Sequence, residues 1–88
     1  MATIKQITEV QGDKTLIIAM EELAELQQAL SKFLRKKPNM DNLHEEFADV
    51  MICMEWIKMY CHLEEAEISK WLNYKQNRLI QRYENGEI

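Results

Sequence analysis

Glycine and proline are nearly missing from this chain, which has two glycines and one proline in 88 residues. The turns of a many-stranded sheet draw heavily on both, so their scarcity excludes that architecture and favours helices. Cysteine is equally sparse. Cys53 and Cys61 lie eight residues apart in one helical stretch, about 12 Å along the axis and beyond disulfide reach. With no disulfide framework, a cytoplasmic location is expected. Positive charge is in the minority, with 11 Lys and Arg against 15 Asp and Glu and a net charge of −4. Holding duplex nucleic acid needs a basic face, so direct nucleic-acid binding is not expected. A phosphate-bearing ligand would need a local basic patch or a metal. Long apolar runs are also lacking. No stretch approaches 18 apolar residues without a charge, and Met1–Ile7 has no secretory apolar core, so neither a membrane span nor a signal segment is expected.

What is present is a globular balance of 47% apolar and 30% charged residues. A chain of this length makes one domain, residues 1–88, and buries only roughly 60–65% of its unfolded surface. The expected fold is all-α: a compact helical bundle of one short N-terminal helix and three longer ones, completed by oligomerisation. The first helix covers about residues 2–11 and stops at Gly12-Asp13. The second runs from about Lys14 or Thr15 to Lys37, with Asp13 as N-cap, a basic last turn and Pro38 as the stop. The third runs from Asn39 or Asp41 to about His62. The fourth starts at the acidic Glu64-Glu65 and ends near Glu84, with Asn85-Gly86 as its C-cap.

Placed on a wheel at about 100° per residue, the third helix separates into two faces. His44, Glu55, Lys58 and His62 mark a solvent side. Glu46 and Asp49 fall opposite, among Val50, Cys53, Trp56, Ile57 and Tyr60. On the second helix, Glu22 lies on the stripe of Ile18, Leu26, Ala29 and Phe33, with Glu25 at its border. Burying an unpaired carboxylate is costly, so inward acids call for a compensating charge. Glu22 and Glu25 are three apart, as are Glu46 and Asp49, so each pair shares a helix face. If the two helices pack antiparallel across the short 38–41 connection, the pairs converge on one pocket. Hard oxygen ligands of this kind select Mg²⁺, with Mn²⁺ as the alternative, and Mg²⁺ commonly combines one or two carboxylates with substrate phosphates. The plainer alternative is a pair of solvated acidic faces.

Other chemistries find no support. A ferritin-like di-iron centre needs Glu-x-x-His, and no Glu precedes either histidine by three. Cys61-His62 has no partners at zinc spacing, and there is no glycine-rich phosphate loop or nucleophile elbow. His44 and His62 are read as solvated, Trp56 and Trp71 as core, and the six methionines as core or interface filler. From Ser69 to Tyr83 the fourth helix carries four basic residues and no acid. Lys75, Arg78 and Arg82 share a face with Ile68, Trp71 and Leu79. They are an outer basic stripe, partners for the inward acids, or a clamp for a polyphosphate.

The string Glu21-Glu22-Leu23-Ala24-Glu25-Leu26, followed after a 20-residue interval by Glu46-Phe47-Ala48-Asp49-Val50, resembles the MazG-like family of all-α NTP pyrophosphatases. That family's pattern is Glu-x-x-Glu on one helix and Glu-x-x-Asp on the next. Lys75-Gln76-Asn77-Arg78 and Arg82 are similar to the Lys-x-x-Arg-x-x-x-Arg stretch of its small phage and bacterial members. The resemblance covers about residues 12–84. It implies that Glu22, Glu25, Glu46 and Asp49 hold Mg²⁺, and that Lys75, Arg78 and Arg82 meet substrate phosphates. It further implies an Mg²⁺-dependent nucleotide pyrophosphohydrolase that converts a nucleoside triphosphate to monophosphate and pyrophosphate. Water would attack the α-phosphorus, with Glu22 or Glu25 as the catalytic base.

Between Phe47 and Tyr60 the only charged residues are Asp49, Glu55 and Lys58. One short bundle cannot cover so wide an apolar surface, so a partner chain is expected. The family resemblance points to a homodimer or a dimer of dimers. Two other functions fit the same sequence. One is a non-enzymatic helical interaction or regulatory module, with the inward acids paired to the basic stripe. The other is a phosphoribosyl-nucleotide pyrophosphohydrolase of the same fold.

Overall fold

The computed structural model describes all 88 residues, Met1 to Ile88. It contains four α-helices and no strands: α1 (Ile4–Gln11), α2 (Lys14–Leu34), α3 (Met40–Tyr60) and α4 (Glu65–Glu84). The all-α class and the pattern of one short and three longer helices are as expected. No helix is long and apolar enough to cross a membrane.

Local chemistry sets the boundaries. Thr3 and Gln6 form a reciprocal capping box at the start of α1, and Gly12 ends that helix at a positive φ of 57°. Asp13 occupies the N-cap place of α2 but makes no capping hydrogen bond. Its carboxylate instead accepts the hydroxyl proton of Tyr60, tying the α1–α2 corner to the last turn of α3. Asn39 caps α3 in its place, with its side chain accepting from the backbone N–H of Asn42.

Two helix ends come earlier than the apolar pattern suggests, at Leu34 rather than Lys37 and at Tyr60 rather than His62. The reason is a Schellman closure at each. Lys37 N–H donates to Lys32 C=O and Lys36 N–H to Phe33 C=O, with Lys36 left-handed at φ 59°. The same pair of bonds joins Leu63 to Lys58 and His62 to Met59, with His62 at φ 54°. Gly86 closes α4 in the same way, and there the left-handed residue is the favoured one.

The packed bundle consists of α1, α2 and α3, with α2 against α3 as its main seam and α1 laid across both. Its buried residues are Thr8, Thr15, Ala19, Ala29, Glu46 and Cys53. Three of the six are small apolar residues, which lets α2 and α3 approach closely, and one is a carboxylate. By contrast, α4 packs against none of the other three helices. At its base it is held by Lys58, which pairs with Glu55 at 2.9 Å and with Glu65 at 2.6 Å. The extension of α4 gives a radius of gyration of 16.5 Å, against roughly 12 Å for a spherical chain of this length.

Candidate metal centre

The antiparallel seam brings the two acid pairs together. Carboxylate oxygens of Glu22, Glu25 and Glu46 lie within 4.8 Å of one another, and so do those of Glu45, Glu46 and Asp49. Glu46 is the shared member. It is also the most buried, at 8% exposure, while Glu22 and Asp49 are half-buried and Glu25 faces solvent. One oxygen of Glu46 accepts from Asn42 Nδ2 at 3.4 Å. The other is buried without a hydrogen-bond partner, as is Oε2 of Glu22. No basic side chain reaches the cluster, since both ion pairs in the structure belong to Lys58.

The electrostatics follow from that geometry. Burial raises the Glu22 carboxyl above the ordinary range, and the charges of Glu25, Asp49 and Glu46 raise it further. The Glu46 carboxyl is also raised, first by burial and then by the neighbouring Glu25, with Asp49 and Glu45 adding to the effect. Burial, Glu22 and Asp49 push the Cys53 thiol up as well. Converging hard oxygens, two of them orphaned in a buried setting, fit a divalent cation such as Mg²⁺ or Mn²⁺.

The basic residues stand elsewhere. Lys75, Arg78 and Arg82 are exposed on α4, and the chain does not fold them onto its own acids. Trp71 is 55% exposed rather than core, because α4 has nothing to pack against; its ring meets Tyr74 edge-on at 5.9 Å. Trp56 is half-buried on the seam. His44 and His62 are exposed, as expected. Met20, Met51 and Met54 lie more than half exposed, so they do not fill the core of one chain.

Two contributors to the cluster were not anticipated. Asn42 sits one turn before Glu46, a spacing that could have flagged it. Glu45 joins through its neighbour, which helical periodicity alone places on a different face. A cleft of about 860 Å³ lies away from the carboxylate cluster where α4 leaves the bundle, and includes Lys5, Glu9, Glu55, Lys58, Tyr60 and Glu65. Its Lys58 is already committed to two acids, whereas no Lys or Arg pairs with the carboxylate cluster. No known family, curated protein or solved structure matches the chain.

Proposed function

We propose that this chain is an Mg²⁺-dependent nucleotide pyrophosphohydrolase that cleaves a nucleoside triphosphate to the monophosphate and pyrophosphate. One observation carries it: Glu22 and Glu46 each bury an orphaned carboxylate oxygen in a cluster that no side-chain cation neutralises. Such a cluster is unfavourable alone and becomes favourable around a divalent cation. Glu22, Glu25, Glu46 and Asp49 would hold the ion. When bound, it supplies Lewis-acid polarisation of phosphate oxygens and lowers the pKa of a coordinated water. The resemblance to MazG-like enzymes supports the same reading.

In this reading Glu22 or Glu25 accepts the proton of the attacking water. The water oxygen bonds to the α-phosphorus, and the bond from that phosphorus to the α,β-bridging oxygen breaks. Pyrophosphate leaves with the bond's electron pair. Lys75, Arg78 and Arg82 stabilise charge on the phosphoryl oxygens. Since α4 does not reach the acids of its own chain, a second copy supplies these cations. A homodimer, alone or paired into a dimer of dimers, would set the basic face of one α4 against the acidic seam of its partner. The opposite charges of the two surfaces support that pairing. So do the exposed apolar residues Met20, Leu23, Phe47 and Met51 on α2 and α3.

The test is a pyrophosphate-release screen over the common nucleoside triphosphates and a phosphoribosyl-nucleotide, with Mg²⁺ and with chelator. Release from a triphosphate only with metal is expected. Release from the phosphoribosyl substrate alone would reassign the substrate class, and no release from any would leave a binding or regulatory module.

A further inference from the structure

Helix α4 meets the rest of the chain at one corner. It packs against none of the other helices, and its N-cap, Glu64, makes no capping hydrogen bond. The joint itself is short. His62 closes α3 in a left-handed turn, Leu63 and Glu64 follow, and Glu65 begins α4. Lys58 grips the chain on both sides of that joint. Its backbone C=O accepts from Leu63 N–H at 3.0 Å, and its Nζ donates to Glu65 Oε1 at 2.6 Å. The second bond is the one side-chain hydrogen bond or ion pair that joins α4 to the bundle. Glu55 holds the same ammonium from the α3 side at 2.9 Å. Beyond it the cleft of about 860 Å³ stands open along α1, the end of α3 and the base of α4, and no helix packing sets the direction of α4.

We propose that Lys58 is a positioning residue: by bonding across the joint to Glu65, it sets the direction in which α4 carries Lys75, Arg78 and Arg82 to a second copy. The inference rests on the nucleotide reading above, in which those cations serve the partner's site, and adds the residue that aims them. A lever gives the bond its weight. At about 1.5 Å per residue, Lys75, Arg78 and Arg82 stand about 15, 20 and 26 Å beyond Glu65 along the helix. A rotation of about 10° at the joint moves them by about 2.5–4.5 Å. A charge-assisted hydrogen bond closes at about 2.7–2.9 Å and is lost over such a shift. An exposed ion pair contributes little to the stability of the fold, but here it has no packing to compete with. A chain whose α4 is misdirected binds substrate only after reorienting. The apparent affinity therefore falls with the fraction that is correctly aimed, while the assembled site turns over as before.

The experiment breaks the bond from each end and reads helix direction and turnover together. Spin labels at His44→Cys on α3 and Gln81→Cys on α4, both exposed positions, report the distance between the helices by double electron–electron resonance. Cys61→Ser removes the exposed native thiol, and Cys53 is buried. An excess of unlabelled chain restricts the reading to distances within one chain. Lys58→Met and Glu65→Ala should widen the distance distribution, and Lys58→Arg should restore it. Glu55→Ala leaves the Lys58–Glu65 pair in place and should not widen it. In pyrophosphate release with Mg²⁺, Lys58→Met and Glu65→Ala should raise KM about fivefold, the change in population that one exposed ion pair allows, at nearly unchanged kcat. Glu65 is exposed, so its variant keeps the test open should Lys58→Met fail to fold. Unchanged distances in Glu65→Ala would overturn the proposal, as would widened distances with KM unaltered, or a Glu55→Ala defect equal to that of Glu65→Ala. A fall in kcat alone would report lost folded enzyme and also count against it. The hydrolase reading fails separately. No pyrophosphate release from wild type, with the distances still widening in both variants, would remove the reaction and leave Lys58 as the residue that aims α4.

Discussion

Glu22 on α2 and Glu46 on α3 meet across the seam with one buried oxygen each that no hydrogen-bond donor reaches. Both carboxyls are raised above their ordinary value of 4.5 by burial first and by neighbouring acids second. The folded state therefore holds these protons at pH values where the unfolded chain has lost them. Stability from these two groups is fully present below the unfolded pKa. It falls as pH rises through the window between the unfolded and the raised folded values. In chelator, the melting temperature should rise as the protein is acidified towards the ordinary carboxyl value of 4.5. Glu46→Gln should flatten that slope, and a wild-type profile that instead falls on acidification would contradict the assignment.

Mg²⁺ should act on the same imbalance from the other side. An ion bound only by the folded state raises its stability by mass action, about 2.7 kcal/mol at a hundredfold excess over Kd. For a domain of this size that corresponds to a Tm increase of roughly 10 °C or more. Glu46→Gln and Asp49→Asn should lose the increase and should melt no lower than wild type in chelator. Identical wild-type melting curves in millimolar Mg²⁺ and in chelator would count against the site.

The inward placement of Glu46 was legible because helical periodicity set it opposite His44, Glu55 and His62, and a helix buried on one side must bury that face. Convergence of the two acid pairs was legible because the connection between α2 and α3 is too short for anything but antiparallel packing. Other features were not. Thr15 and Ala19 are the two most buried residues of the fold, yet neither stands out in a hydrophobic pattern because small residues carry little apolar signal. The Lys58–Glu65 pair joins two helices, and no single-helix periodicity encodes it. The isolation of α4 was equally hidden. Its apolar stripe of Ile68, Trp71 and Leu79 reads as a buried face whether the covering surface belongs to the same chain or to another.

The left-handed turns after α2 and α3 offer a test of local energetics. Lys36 and His62 adopt positive φ at positions where glycine is the favoured residue, and both are exposed. A side chain held in that conformation costs about 1–2 kcal/mol, and glycine's greater freedom in the unfolded chain offsets part of the gain. Lys36→Gly and His62→Gly should each raise stability by about 0.5–1 kcal/mol in denaturant melts. The two sites are far enough apart in the chain to share no partner, so the double variant should show the sum. A loss in either single variant would mean that the side chain makes a contact worth more than the backbone strain.

The separation of Lys75 and Arg78 from the acids of their own chain leads to the most discriminating prediction. Neither residue neutralises a buried acid within the chain, so Lys75→Ala and Arg78→Ala should leave the Mg²⁺-dependent change in Tm intact. Each should lower kcat/KM by about 10- to 150-fold, as expected for loss of a hydrogen bond to a charged phosphate. Glu46→Gln should cost more, because the metal is lost with it. If the cations come from a second copy, the two defects lie on different chains of one site. Arg78→Ala and Glu46→Gln proteins, each impaired alone, should then complement when mixed and allowed to exchange subunits. Random pairing makes half the dimers mixed, and each mixed dimer has one intact site of two, so about one quarter of wild-type activity should return. Light scattering should report at least twice the 10.5 kDa chain mass. Activity in the mixture that stays at the average of the two variants, despite demonstrated exchange, would place the basic face outside the partner's site.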